Sequence, residues 1–307
     1  MTDLALITGA VLLAAAGGEA FLRAILGAAR YFRVPPVVVA TTLAAFATSS
    51  PELTVSSVAA LAGQPEIGLG DALGSNVVNI ALIFGLALLY GTVQTTPHDF
   101  GRDFYLALGV PILTFLLVLD GRIERTEALV LLTVFFAWLA WTIRAALLGR
   151  SGNTEIDASE LSAGASLLLG VLGLGALIGA GRLFVAGATG IASALGVDTY
   201  IVGVLLVAIG TSLPELVTVI LSRLRGHDDI GVGTLIGSNL FNGLAIVGVA
   251  GTLHPIAVPF AEVAFTLAAG LLALLLLLPD RHGRIVRSRG ALLLALYAAF
   301  VSLTLTS

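Results

Sequence analysis

The chain has 307 residues, of which 58% are hydrophobic and 11% charged, with a net charge of −4. Soluble domains carry about 25% charged residues, so most of this surface must face lipid rather than water. The absence of Cys excludes disulfides, thiol chemistry and Cys-based metal sites, and the negative net charge argues against nucleic acid as a partner.

Apolar segments run over roughly 4–29, 34–62, 67–92, 103–119, 127–148, 161–193, 197–222, 230–252, 256–279 and 290–306. Most reach the ~20 residues that cross a bilayer core. The predicted fold is therefore an all-α integral membrane protein with ten transmembrane helices. The first segment lacks a basic flank and a clean cleavage site, so it reads as a retained span rather than a signal peptide. The longest polar stretch, Gly149–Glu160, lies midway and is too short to be a domain.

Arginine placement predicts the orientation. Connections after odd-numbered segments hold Arg30, Arg33, Arg102, Arg144, Arg150, Arg223, Arg225, Arg281, Arg284, Arg287 and Arg289. Those after even-numbered segments hold only Arg122 and Arg125. The positive-inside rule then puts both termini outside and the central loop in the cytoplasm of a cell-membrane protein.

The chain also resembles itself. Shifted by 163 residues, Val34–Gly85 lies on Val197–Gly248 without a gap, with 20 of 52 positions identical. Ala-Thr-Ser-Ser-Pro-Glu-Leu at 47–53 faces Gly-Thr-Ser-Leu-Pro-Glu-Leu at 210–216, and Gly-Ser-Asn-Val-Val-Asn at 74–79 faces Gly-Ser-Asn-Leu-Phe-Asn at 237–242. Random likeness between apolar helices yields matched Leu, Val and Ala, not matched Pro-Glu and Gly-Ser-Asn. Five segments per half is an odd number, so the second half enters the membrane from the opposite side. The expected organisation is two inverted five-helix repeats, 1–150 and 161–307, joined by a cytoplasmic linker at 151–160. Such inverted repeats place transport sites at the midplane.

Pro51 and Pro214 cannot donate a backbone hydrogen bond, so each predicts a broken helix with freed carbonyls at Ala45 and Thr48, and at Ala208 and Thr211. Glu52 and Glu215 follow directly, although a carboxylate at that depth costs about 2.5–3.5 kcal/mol. Thr48 with Glu52, Ser75 with Asn79, Thr211 with Glu215 and Ser238 with Asn242 are each four apart and share a helix face. Carboxylates, carbonyls, hydroxyls and amide oxygens form a donor set for a hard cation, Ca²⁺ above all. Soft metals would need Cys or His, and His98, His227, His254 and His282 fall at segment ends. A plainer reading applies to Gly68, Gly74, Gly231 and Gly237, which let helices approach closely, and a single buried Glu can be helix glue. Recurrence of the same costly group beside a break in both halves favours a cation role. Glu19 and Arg182 share a repeat position but belong to neither motif; Glu19 is read as structural or peripheral, and Arg182 is assigned no role.

These paired motifs resemble the two α-repeats of the cation/Ca²⁺ exchanger superfamily, and are most similar to prokaryotic-type sodium/calcium exchangers without a large regulatory loop. The resemblance covers essentially the whole chain. It implies a secondary antiporter with no cofactor, whose transported ions are Ca²⁺ and Na⁺ and whose setting is the lipid bilayer, with no obligate protein partner. It implies Ca²⁺ at Thr48, Glu52, Thr211 and Glu215. Overlapping Na⁺ positions would use Ala45, Ser49, Ser75, Asn79, Ala208, Ser212, Ser238 and Asn242 with the same glutamates. Ala47 replaces the glycine usual before Thr-Ser. Asn242 stands where K⁺-dependent relatives carry Asp, so the cage is expected to hold two formal charges and to ignore K⁺.

Other classes fit less well. A proton/Ca²⁺ antiporter is similar but typically shows Gly-Asn-Ala-x-Glu, absent here, although a carboxylate pair can exchange a proton. Channel filters are usually rings of symmetric subunits. An intramembrane enzyme would need a His-Glu-x-x-His or Gly-x-Ser-x-Gly constellation, and neither occurs.

Overall fold

The computed structural model describes residues 2–63, 65–95, 97–148, 162–194, 208–258 and 260–304. The predicted linker at 151–160 and the opening of the predicted seventh segment, 197–207, lie outside the described residues. The helices are α1 (Thr2–Phe32), α2 (Pro36–Thr48), α3 (Ser50–Leu61), α4 (Pro65–Leu89), α5 (Pro97–Leu117), α6 (Arg125–Leu148), α7 (Ala163–Ala194), α8 (Ala208–Thr211), α9 (Leu213–Leu224), α10 (Asp228–Leu253), α11 (Phe260–Leu276) and α12 (Arg287–Thr304).

Among the described residues, α1, α4, α6, α7 and α10 contain stretches long and apolar enough to cross a membrane. The apolar helices α2 and α11 are shorter. The predicted segment 34–62 is two helices, because the chain breaks between α2 and α3. Exposed leucines and valines such as Leu167, Leu168, Val171 and Leu172 on α7 suit a lipid environment, where apolar exposure costs nothing.

Burial sorts the helices into layers. The whole apolar window of α10 is buried, and most of that of α4, whereas α1, α6 and α7 are largely exposed. Helices α4 and α10 therefore form the centre. Leu69, Ile80, Ile83 and Phe84 of α4 and Leu235, Leu240, Leu244 and Ile246 of α10 share one apolar cluster with Phe104 of α5, Leu131 of α6 and Leu293 of α12. A second cluster joins Phe21, Leu22 and Ile25 of α1 with Val39 and Ala44 of α2 and Leu177 of α7.

Both central helices widen to π-helical turns that begin inside the Asn-x-x-Asn motifs, at Val78–Phe84 and Phe241–Ile246. Such π turns frequently mark functional sites. Across the centre, Asn76 Nδ2 donates to the Asn239 carbonyl at 3.3 Å, and Asn239 Nδ2 donates to the Asn76 carbonyl at 3.3 Å. The two residues are 163 positions apart. Two short strand pairs cap the ends: β1 (Val93–Gln94) with β4 (Arg284–Ile285), and β2 (Arg122–Ile123) with β3 (Ile256–Ala257), both antiparallel. In the turn before β4, Asp280 accepts the backbone N–H groups of His282 at 2.8 Å and Arg284 at 2.9 Å. The Arg284 N–H holds its carboxyl below the usual range.

Glycine makes the close approaches possible. The two longest helices, α1 and α7, meet along Gly17 and Gly173: a Cβ on Gly173 would stand 2.7 Å from Phe21 N. In the centre, a Cβ on Gly237 would stand 2.2 Å from the Thr41 carbonyl oxygen and 2.7 Å from Ala45 Cβ. Gly68 and Gly231 pack likewise on Ser56 and Ser222. Gly74 differs, since a Cβ there would meet nothing within 4 Å among the described residues.

This packing yields a prediction. Gly237→Ala should destabilise the protein by about 1–3 kcal/mol, as overpacking against backbone does, and lower its unfolding temperature in detergent. Gly175→Ala, where a Cβ would meet nothing within 4 Å, should leave it unchanged or higher.

Candidate cation site

The site starts from two helix interruptions of the same shape. Ser49 lies between α2 and α3 with φ −86° and ψ 8°, and Ser212 lies between α8 and α9 with φ −85° and ψ 10°. Pro51 and Pro214 fall in the first turns of α3 and α9. There a missing N–H costs nothing and the fixed φ is already helical. Each proline thus starts a new helix. Glu52 and Glu215 lie in those first turns, where unpaired N–H groups and the helix dipole favour an anion. This accounts for the order Pro-Glu in both halves.

The expectation of a freed Ala45 carbonyl is corrected. That carbonyl accepts the Ser49 N–H at 3.0 Å and the Thr48 hydroxyl at 3.3 Å, because α2 stays helical up to the break. Four residues before Pro51 is Ala47, whose carbonyl takes the Ser50 hydroxyl at 2.7 Å. No backbone N–H donates to the Thr48 carbonyl among the described residues. The side chain of Ala208 lies outside the described residues.

The two halves meet at Glu215. Its Oε1 accepts Ser49 Oγ at 3.3 Å and Ser238 Oγ at 3.4 Å, and Ser238 Oγ lies 3.4 Å from Thr48 Oγ1. Asn79 Nδ2 donates to Asn239 Oδ1 at 3.2 Å. With its donor so engaged, Asn79 presents its Oδ1 as the remaining acceptor.

Glu52, Glu215, Ser49, Ser75, Asn79, Ser212 and Asn242 are each 1% exposed, and Thr48 and Ser238 are 0% exposed. Thr211 is partly buried. Within this set, Glu52 Oε2, Glu215 Oε2, Ser75 Oγ, Ser212 Oγ, Asn79 Oδ1 and Asn242 Oδ1 have no hydrogen-bond partner. Buried polar atoms are nearly always satisfied, and a buried carboxylate without a partner costs several kcal/mol. The unmatched atoms are oxygens with lone pairs, the donor type a hard cation takes.

One group stands outside the motifs singled out in the sequence. Asp71 of α4 carries a buried Oδ2 without a partner, and its charge acts repulsively on Glu52. Asp71 is thus a further carboxylate on the same central helix as Ser75 and Asn79, beyond the two expected. The signal was present, because Asp71 lies four residues before Ser75 and eight before Asn79. Its repeat counterpart is Thr234, so a search for paired residues passes over it. Glu19 is peripheral: it pairs with Arg23 at 2.9 Å and Arg225 at 2.8 Å. Arg182 is exposed on α7.

The sequence profile of the family described as "Sodium/calcium exchanger protein" matches residues 2–144 and 165–306. The chain belongs to the sodium/calcium exchanger family. This is a family of transporters, so the enzyme alternative falls away. The chain is 33% identical over 234 residues to the inner membrane protein YrbG of Escherichia coli, covering 74% of this chain and 72% of that protein. It is 27% identical over 331 residues to the sodium/calcium exchanger MaX1 of Methanosarcina acetivorans, covering 93% of each. The solved structure of the sodium-calcium exchanger NCX_Mj soaked with Na⁺ and Ca²⁺ superposes with a TM-score of 0.85 at 28% identity, covering 98% of both chains.

For this family member the unpartnered oxygens make a signed prediction. Ca²⁺ at a hundred times its Kd should stabilise the wild type by about 2.7 kcal/mol, read as a rise in unfolding temperature. Glu52→Gln and Glu215→Gln should each abolish that rise. In Ca²⁺-free buffer both variants should unfold at a higher temperature than the wild type, because a buried charge has been removed.

Proposed function

We propose that this exchanger-family chain is a Na⁺/Ca²⁺ antiporter that works by alternating access at the site between Glu52 and Glu215. The observation that carries the reading is the convergence of both halves on one set of buried, unpartnered oxygens. In this reading Thr48, Glu52, Thr211 and Glu215 hold Ca²⁺. Na⁺ uses the same glutamates with Ser49, Ser75, Asn79, Ser212, Ser238 and Asn242, joined by the backbone at Ala45 and Ala208. Ala45 would contribute only by sharing or giving up a hydrogen bond, since its carbonyl already accepts two.

The proposed architecture is ten spans in two inverted repeats, 1–150 and 161–307, with the linker 151–160 in the cytoplasm and both termini outside the cell membrane. The reciprocal Asn76–Asn239 bonds support it, since they are what a two-fold axis through the centre would produce. The matched breaks at Ser49 and Ser212 support it too, as do the strand pairs. The shift of 163 that aligns the motifs carries β1 onto β3, and a shift of 162 carries β2 onto β4.

Coupling of the two ions follows from competition. Ca²⁺ and Na⁺ are mutually exclusive because both require the same two carboxylates. Glu52 and Glu215 together balance one Ca²⁺ or two Na⁺. The neutral oxygens of Ser49, Ser75, Ser212 and Ser238 admit a further Na⁺ without further negative charge, so exchange moves net positive charge with Na⁺.

Three measurements in proteoliposomes test the reading. An outwardly directed Na⁺ gradient should drive Ca²⁺ uptake, and a pH gradient alone should not. The reverse result would establish the proton-coupled antiporter. A potential clamped with valinomycin and K⁺ should change the uptake rate, since each charge moved gains about 2.3 kcal/mol per 100 mV. Replacing K⁺ by choline, without valinomycin, should leave uptake unchanged, because Asn79 and Asn242 offer amide oxygens rather than charges.

A further inference from the structure

Asp71, Ser75 and Asn79 lie at i, i+4 and i+8 of α4 and so share one helix face. Each step rises about 6 Å, so the row is roughly 12 Å long. Asp71 Oδ2, Ser75 Oγ and Asn79 Oδ1 all lack hydrogen-bond partners. Ser75 and Asn79 are 1% exposed, whereas Asp71 is only partly buried. The row thus runs from the site towards the surface at the end where α4 begins. Asp71 Oδ2 is buried although the residue as a whole is partly exposed. A carboxylate on a membrane helix faces water or a partner rather than lipid, which puts the outer rung on the approach to the site.

The other half builds the same row and ends it differently. Thr234, Ser238 and Asn242 repeat the spacing on α10, but Thr234 is neutral and 0% exposed. At this rung only the α4 row carries a carboxylate. Asp71 acts on Glu52 electrostatically. Yet among the described residues no three Asp, Glu or His side chains converge closely enough to hold one metal ion. Asp71, Glu52 and Glu215 are therefore not gathered into one three-carboxylate cage.

We propose that Asp71 is a separate cation-capture position, which takes Ca²⁺ at the mouth of the α4 row and passes it inward along Ser75 and Asn79 to Glu52 and Glu215. It rests on the antiporter reading for the destination of the ion, though not for the capture. When ionised, a carboxylate at the mouth raises the local cation concentration and the rate of entry. It should therefore govern apparent affinity and leave the maximal rate to the inner pair.

The test uses the full chain. In proteoliposomes, Asp71→Asn and Asp71→Thr should raise the KM for Ca²⁺ about tenfold while the maximal rate stays within twofold of wild type. Asp71→Glu should behave as wild type. Added choline chloride should raise the wild-type KM and leave that of Asp71→Asn nearly constant. An unchanged KM in both neutral variants overturns the capture role. Loss of rate at saturating Ca²⁺ also overturns it, since Asp71 would then belong to the inner site. If the wild type shows no Na⁺/Ca²⁺ exchange, the antiporter reading fails, and calorimetric titration with CaCl₂ in detergent decides Asp71 alone. Asp71→Asn should then lose a weak Ca²⁺ equivalent that Glu52→Gln retains, and a titration identical to wild type overturns the proposal. Should Asp71→Asn fail to fold, Asp71→Thr, which installs the counterpart residue, reads the same outcomes.

Discussion

An anion inside a protein that is itself surrounded by lipid is the constraint on which this architecture turns. Water cannot solvate Glu52 and Glu215, each 1% exposed, so the fold must supply favourable potential from its own dipoles. It does so by ending one helix and starting another immediately before each carboxylate. Pro51 and Pro214 open the new helices at no hydrogen-bonding cost, and the first-turn N–H groups face the charge. The compensation is partial. An oxygen of each glutamate and several nearby hydroxyl and amide oxygens remain unmatched, and the proposed cation site rests on them.

Bringing those groups together requires the central helix α10 to approach α2 and α9 closely. Gly237 against Thr41 and Ala45, and Gly231 against Ser222, remove the side chains that would hold them apart. Between α4 and α10 the reciprocal amide bonds of Asn76 and Asn239 set the register. This fixes which oxygens face inward: Asn79 donates to Asn239 and so turns its own Oδ1 away from that bond. Specific polar pairing in a low-dielectric interior orients groups more firmly than apolar packing can, because an unmade bond there has no solvent to replace it.

The two halves are alike in plan and unlike in charge. Thr234 occupies the position of Asp71, and the first is sealed while the second is partly open. Two segments of like sequence thus differ in charge at one matched rung, a difference that their shared motifs do not dictate.

Much of this was legible in the residues. The membrane class followed from composition, because lipid tolerates apolar surface that water does not. The breaks and the buried glutamates followed from Pro-Glu and Gly-Ser-Asn recurring 163 residues apart, since the chemistry of proline and of carboxylate is local. Three things needed tertiary structure. The Ala45 carbonyl stays bonded because the helix runs on to Thr48, and where a helix frays depends on its neighbours. The meeting of Ser49 and Ser238 at Glu215 joins residues up to 166 positions apart, and no local spacing states such a distance. The third carboxylate, Asp71, was visible as a residue but not as a neighbour of Glu52. Its partner across the repeat is uncharged, and only the packing of α3 on α4 sets the two charges against each other.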